Sequence, residues 1–353
     1  MTDNVKVAGF NDKQPAWWGL GKQPEYAYQW ANVSEGFEAA GMNYKLSLEP
    51  FSCEINGQKY TMDNRRMVMR EPSLGDDDYI PLDVVGDDFV LVQNSDIEEW
   101  FNPLCDNYKL ATFGVLGEGQ TVWLAFETEG FTIKGDDFDG YLFVYGKTAG
   151  GGSFGVGYTT VRVVCQNTLM MAESGALDLM KFSHKGNVKD LVKMRAWAEH
   201  TIAESRKQVV AQWELLVNTK FDELMTAKVI EKTFPEPKRE KALLLADVAP
   251  GLLQEEYASV LINDAQKRND KAQETTSNHR IGVAHRLNVF NEEFPQYART
   301  GYAVVNAITQ YADWPEKPRS DTPRASMFGY RNAWKQRGFA TALKLARPEA
   351  SDN

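Results

Sequence analysis

YKLATFGVL (residues 108–116), QTVWLAFETE (120–129), DGYLFVYGKT (139–148) and SFGVGYTTVRVV (153–164) follow one another with only glycine-rich breaks between them. Those breaks are Gly117–Glu118–Gly119, Gly135–Asp136–Asp137 and Gly150–Gly151–Gly152. β-Branched and aromatic residues suit a pleated, packed surface, and glycine supplies the backbone freedom of a tight turn. Strands joined by such short turns predict an antiparallel meander, because parallel neighbours need a long crossover. Upstream, YKLSLEPFSCEI (44–55) and QKYTM (58–62) flank Asn56–Gly57. An Asn-Gly pair between two extended runs is a strong hairpin signal. DFVLVQN (88–94) reads as a further strand, and Ser95 reads as the N-cap of a short helix with Glu98 as its capping-box partner. Pro103 is expected to stop or bend that helix.

From Asn187 the apolar period changes. Val188, Leu191, Val192, Ala198, Ile202, Val209, Trp213, Leu216 and Val217 recur at steps of three and four, which predicts a long helix reaching about Phe221. Phe234–Pro235–Glu236–Pro237 breaks the pattern. Helices are predicted again at Leu252–Lys267 and Ala303–Ala312, and a last one at Tyr330–Ala346 follows a Pro/Arg-rich linker, Pro315–Arg324. The order predicts an α+β fold: an antiparallel β-meander sheet followed by a mostly helical second half packed on it. Three segments are expected. They are an aromatic-rich stretch at 1–40, a sheet with short helices at 41–180, and a helical region with a basic last helix at 181–353.

The net charge of −10 argues against a generic nucleic-acid coat. Its distribution is uneven: residues 1–150 carry 25 acidic and 11 basic side chains, and residues 151–353 carry 24 and 28. Any polyanion contact is therefore expected in the second half. Three scattered cysteines, Cys53, Cys105 and Cys165, form no disulfide framework or thiolate zinc pattern. No apolar run is long enough for a membrane span, and the N-terminal stretch has no signal-like apolar core. The reading is a cytoplasmic protein of its host cell. Phosphate loops, nucleophile elbows and His-Glu-x-x-His are missing, so an enzymatic role is not favoured and no cofactor is expected. His279 and His285 stand six apart, off ligand spacing. The clusters Asp76–Asp78, Asp87–Asp88 and Asp136–Asp139 read as turn residues and not as metal ligands.

VRVVCQNTL (161–169) ends the meander. Asn167 or Thr168 is a candidate N-cap for a helix beginning at Leu169, which would set Arg162 and Asn167 beside a helix N-terminus, an anion-binding arrangement. With Trp-Gly-Leu-Gly (18–21), Ala-Gly-Met-Asn-Tyr (40–44) and Asn-Ala-Ile-Thr-Gln-Tyr (306–311), this run makes the chain resemble the phage- and plasmid-borne family of domain of unknown function 932. The resemblance spans most of the chain and implies no established reaction.

Two basic stretches remain. Lys181, Lys185 and Lys189, at steps of four, would share a face if the long helix began early. The stretch 317–347 carries eight cations, and its RASMFGYR run (324–331) joins Arg324, Ser326 and Arg331 to Phe328 and Tyr330. Guanidinium groups, a hydroxyl and stacking rings suit a single-stranded nucleic-acid groove. An N-terminal cluster, Trp17, Trp18, Tyr26, Tyr28 and Trp30, reads as rings filling grooves of the main domain.

The helix–meander–helix order at 95–176 is similar in topology to the core of phage single-strand annealing proteins of the Erf, RecT and Beta types. That similarity implies a single-stranded-DNA-binding or strand-annealing protein of a phage or plasmid recombination system, working as a ring or filament of copies. A phage or host single-strand-binding protein is a possible further partner. Arg162, Asn167, Lys181, Lys185, Arg324, Ser326, Arg331 and Lys335 would contact the backbone, and Phe328 and Tyr330 would stack on bases. The alternative is an interaction protein without catalysis that binds a host factor, its acidic first half docking on a basic partner.

Overall fold

The computed structural model describes residues 5–10, 30–147, 153–162, 167–169, 180–184, 191–238, 243, 255–315, 325–326 and 329–347. The fold is α+β, with antiparallel sheets in the first half and a mostly helical second half. The chain divides into two compact units: 1–214 with 312–336, and 215–311 with 337–353.

The first unit is built on the meander. β5 (Lys109–Leu116), β6 (Thr121–Ile133), β7 (Asp136–Lys147) and β8 (Ser153–Arg162) pair in sequence, all antiparallel. β1 (Val5–Phe10) adds to the free edge of β5, while β9 (Asn167–Leu169) and β10 (Met180–Ser183) share the outer edge of β8. Val122, Trp123, Leu124, Ala125 and Phe126 are all fully buried, so β6 is buried on both faces and does not alternate. On one face, Phe113, Leu124, Phe126, Val144 and Phe154 pack with Phe37 of α1 (Val33–Ala39) and with Ile97, Trp100 and Phe101 of α2 (Asn94–Phe101). Trp30 from the N-terminal aromatic cluster joins this core, its ring edge-on to Phe113 at 4.9 Å. Trp17, Trp18, Tyr26 and Tyr28 lie outside the described residues.

The strands admit large rings by placing glycine across from them. A Cβ on Gly146 would meet the Phe154 ring at 1.9 Å, and one on Gly155 would meet the Tyr145 ring at 2.4 Å. These residues face each other in register, Gly146 with Phe154 and Tyr145 with Gly155. From α3 (Leu191–Asn218), Trp213 stacks on Phe138 at 5.8 Å, and Arg206 donates to the Gly130 carbonyl at 2.8 Å while pairing with Glu129.

A second sheet, β2 (Leu46–Ile55), β3 (Gln58–Arg70) and β4 (Ile80–Gly86), starts from the predicted hairpin. Asn56 and Gly57 both take positive φ, 52° and 77°, as the two-residue turn between paired Ile55 and Gln58 requires. At the base of this sheet Arg70 is fully buried. It pairs with Asp76, donates to the Ser73 carbonyl and hydroxyl at 2.8 and 2.6 Å, and lies 5.5 Å from the Tyr44 ring centre. Asp76, read as a plain turn residue, is thus the partner of a buried cation.

Two expectations change. Residues 89–93 form no strand: Val90 N–H donates to the His184 carbonyl at 2.8 Å, and Phe89 stacks on the His184 ring at 4.4 Å. One bridging residue satisfies this stretch where a ladder was expected. The helix then starts one residue before Ser95, with Gln93 at its N-cap, and the Asp96 carboxylate accepts from Gln93 N–H at 2.8 Å. At Pro103 the helix tightens into a 3-10 turn, Asn102–Asp106.

The second unit is helical. It contains α4 (Glu223–Thr233), α5 (Glu255–Glu293) and most of α6 (Gly301–Asp313), whose chain continues into the first unit. The last helix, α7, runs Tyr330–Ala346, with the bounds read from the sequence. α5 is far longer than its predicted Leu252–Lys267 start. Its interior is rich in Asn, Gln and Thr, which blurs the apolar period.

Arg70→Ala is expected to destabilise the first unit by about 3 kcal/mol, since it strips the partner from the Asp76 carboxylate and from the half-buried Ser73 carbonyl. Urea unfolding followed by tryptophan fluorescence reads this as a lower midpoint; an unchanged midpoint would contradict it.

Candidate functional site

Asp313 is the last residue of α6, where a carboxylate meets the negative end of the helix dipole. The structure compensates with two cations from the first turns of α7. Lys335 Nζ donates to Asp313 Oδ1 at 2.8 Å, and both side chains are only 2% exposed. Arg331 donates to the Ala312 carbonyl at 2.9 Å, satisfying an acceptor that the helix end leaves over. The Ser326 hydroxyl donates to the same Asp313 oxygen as Lys335, and Ser326 is 1% exposed. Ser326, Arg331 and Lys335 therefore close on one helix end.

The outer layer of this cluster is aromatic. Tyr330 and Trp334, one turn apart on α7, stand edge to face with centres 5.0 Å apart. The Arg331 guanidinium lies 5.6 Å from the Tyr330 centre and 5.5 Å from that of Trp334. This is cation–π distance for both rings. Tyr330 is 46% exposed, whereas Arg331 and Trp334 are half-buried. Chemically, the arrangement is a rigid base of one carboxylate, one ammonium and one hydroxyl beneath a surface of two rings and a guanidinium.

The sequence-predicted residues separate into three groups. Ser326, Tyr330, Arg331 and Lys335 come together as described. Lys335, read as a surface cation, instead spends its charge inside the protein on Asp313. Arg162, Asn167 and Lys181 sit in strands: Arg162 and Asn167 are register partners in β8 and β9, and Lys181 pairs opposite Gly155 in β10. The expected helix N-terminus at Asn167 is thus replaced by a strand, because Asn167–Leu169 pairs antiparallel with the end of β8. Asn and Thr serve turns and strand ends as readily as helix caps. The helical face expected for Lys181, Lys185 and Lys189 is lost at its first member. Lys185, Arg324 and Phe328 lie outside the described residues.

Sequence reading missed Asp313 and misjudged Lys335. The signal for Lys335 was present: Asn332, Lys335, Phe339, Ala342, Leu343 and Ala346 recur at helical spacing, and all are buried. A lysine on the apolar stripe of a helix must have a buried partner. In the second unit, an open cavity of about 730 Å³ is lined by Leu224, Ala227 and Ile230 of α4, by Leu287 and Asn291 of α5, and by Arg299. It was not anticipated, and its walls are mainly apolar. His279 sits elsewhere in that unit, its Nδ1 2.8 Å from the Tyr311 hydroxyl and its ring stacked on Phe234.

Among the described residues, no group of three or more His, Cys, Asp or Glu could hold a metal ion, and no helix is long and apolar enough to cross a membrane. The family model described as Domain of unknown function (DUF932) matches residues 81–334, a span that takes in the meander, α3 to α6 and the Asp313 cluster except Lys335. No curated protein and no solved structure matches the chain.

Removing one member of a buried ion pair costs about 3–5 kcal/mol, because the other charge is stranded. Lys335→Met and Asp313→Asn should each lower stability by about that amount, and the double variant by clearly less than the sum. A double-mutant cycle in urea measures the difference; strict additivity would mean that the two groups do not interact.

Proposed function

The chain belongs to the family of domain of unknown function 932, and from that premise, which supplies no reaction, we propose that it binds single-stranded nucleic acid in a phage or plasmid recombination setting. The observation that carries this reading is the Tyr330–Arg331–Trp334 surface. Every base has a face that stacks on an aromatic ring or a guanidinium plane, so an exposed ring beside a held guanidinium favours unpaired strands over duplex. Tyr330 is the stacking residue and Arg331 the phosphate contact. Lys335, Asp313 and Ser326 are positioning residues: their buried bonds hold the first turn of α7 in place. Arg324 and Phe328, from the same stretch, extend the proposed contact. Strand annealing is the finer form of the proposal, with Arg162, Asn167, Lys181 and Lys185 as further backbone contacts. The net charge of −10 limits this contact to a local patch.

The test is a salt series of binding to labelled single-stranded and duplex DNA. Tyr330→Ala should weaken single-strand binding by about 1–3 kcal/mol with little change in salt slope. Arg331→Gln should instead flatten the slope of log K against log salt by about 0.7, the value of one phosphate on a single strand. Melting temperature is read beside both, because Arg331 also binds the Ala312 carbonyl. If the intact protein shows no salt-sensitive binding, the nucleic-acid reading fails and the binding of a host protein takes its place.

A further inference from the structure

The hairpin of β2 and β3 breaks the rule that an isolated two-stranded ribbon is marginal in water. Residues 53–65 are exposed throughout, and β4 pairs only with Arg65–Arg70, leaving the outer half of the hairpin as two bare strands. One face of that half is apolar. Tyr60 lies opposite Cys53 and Gln58 opposite Ile55; the pairing with β3 is irregular between Pro50 and Ser52, and alternation along β2 itself adds Phe51 to the same face. The Tyr60 hydroxyl donates to Gln58 at 3.1 Å on this face. Ile55 is 55% exposed and Tyr60 48%. The other face carries Glu54 opposite Lys59 and Ser52 opposite Thr61.

The outer edge of β2 is protected along its inner half only. The Gln93 side chain accepts from Leu46 N–H and donates to the Leu46 carbonyl, both at 2.9 Å, as a neighbouring strand would. Leu46 therefore turns its backbone groups outward, and by alternation so do Leu48, Pro50, Ser52 and Glu54. The two-residue turn agrees, since it makes Ile55 and Gln58 a hydrogen-bonded pair and directs Ile55 and Cys53 inward. Pro50 has no N–H to offer. Among the described residues, what remains is a free edge of five residues, Phe51–Ile55, bounded by Pro50 and by the Asn56 turn, with Cys53 at its centre.

We propose that a second copy of this chain pairs antiparallel with the free edge Phe51–Ile55 about a two-fold axis at Cys53. The register follows from the bounds: Ser52 meets Glu54 of the second copy and exchanges both backbone hydrogen bonds with it, Phe51 meets Ile55, and Cys53 meets Cys53. The result is a four-stranded sheet whose apolar face carries Tyr60, Cys53, Phe51 and Ile55 from each copy. Charge favours a like partner. Phe51–Thr61 holds one acid and one base, Glu54 and Lys59, within a chain of net charge −10. Net charge sets copies against one another, but the tip Phe51–Thr61 is itself neutral; the adjacent cations Arg65 and Arg66 lie farther down β3, where β4 pairs. The register also sets no two like charges directly opposite. Such an isologous contact closes at two copies.

Cys53 makes the register measurable in the full-length protein, without nucleic acid. In this pairing the two Cys53 residues form a non-hydrogen-bonded pair, with Cα atoms about 4.5 Å apart, inside the range of about 4.4–6.8 Å that a disulfide spans. Oxidation with diamide should yield a disulfide-linked dimer on a non-reducing gel, absent in Cys53→Ser. Sedimentation at tens of micromolar should show a dimer for the reduced wild type and for Cys53→Ser. Cys53→Lys sets two ammonium groups face to face and should raise the dimer dissociation constant at least tenfold. Its melting temperature should hold, because the residue is exposed. A monomer at every concentration overturns the proposal. So does a dimer that does not cross-link, one that cross-links in Cys53→Ser, or one that survives Cys53→Lys. None of these outcomes depends on nucleic-acid binding, so this proposal and the functional reading fail separately.

Discussion

A sheet buried on both faces leaves its central strands no side on which to put polar residues. β6 shows the consequence, with five successive fully buried residues from Val122 to Phe126. Each large side chain so buried contributes about 1.5–3 kcal/mol. Packing rings from neighbouring strands demands space, and glycine provides it at Gly146 and Gly155, under Phe154 and Tyr145. These two strand glycines are therefore sites of ring packing and not weaknesses. Everything else in the first unit is added around this slab: α1 and α2 on one face, β1 on one edge, and β9 and β10 on the other.

That slab was legible because its strands are long, apolar and separated by glycine turns. The hairpin at Asn56–Gly57 was legible because its turn chemistry allows few other conformations. The last helix was legible because glycine precedes it and its apolar residues keep helical spacing. What was not legible shares one cause: the deciding partner lies far away in sequence. Val5–Phe10 becomes a strand because the edge of β5 accepts it. Phe89–Gln93 fails to become one because His184 meets it first. VRVVCQNTL was read as a strand followed by a helix start, yet Asn167–Leu169 returns to β8. A propensity scale cannot separate a capping asparagine from one that begins a strand.

The candidate site was half legible for the same reason. Ser326, Tyr330, Arg331 and Lys335 were singled out, yet Asp313, the residue that gathers Ser326 and Lys335, was not. A carboxylate at a helix C-terminus is unfavourable alone, by about 0.3–1 kcal/mol at an exposed end and more when buried. Such a residue is tolerated only where cations arrive from elsewhere, and Lys335 and Arg331 are those cations. Their division of labour follows from their chemistry. The compact ammonium of Lys335 enters the interior to meet one oxygen. The planar guanidinium of Arg331 stays at the rim, where it can bond a carbonyl in its plane and lie against rings. A buried pair contributes little net stability compared with an apolar core, but it tolerates few alternative geometries. It therefore sets where the first turn of α7 lies, and with it the direction in which Tyr330 faces.

Two places in this chain depart from the ordinary rule that apolar groups go in and charges go out. At Asp313 a charged pair is buried, and the departure is resolved locally, because each charged group has its partner within hydrogen-bond distance. At the tip of the β2–β3 hairpin an apolar face is exposed, and among the described residues nothing covers it. The two cases differ in what they require. A buried pair completes itself within one unit, so its consequence is rigidity. An exposed apolar face beside an unpaired strand edge can be satisfied only from outside the hairpin. Natural sheets blunt such edges with proline, charge or a covering side chain, and this chain uses two of those devices, Pro50 and Gln93, on the inner part of β2. Their absence from Phe51 to Ile55 is selective, and a stretch left unprotected beside a protected one has the character of a surface kept open for pairing.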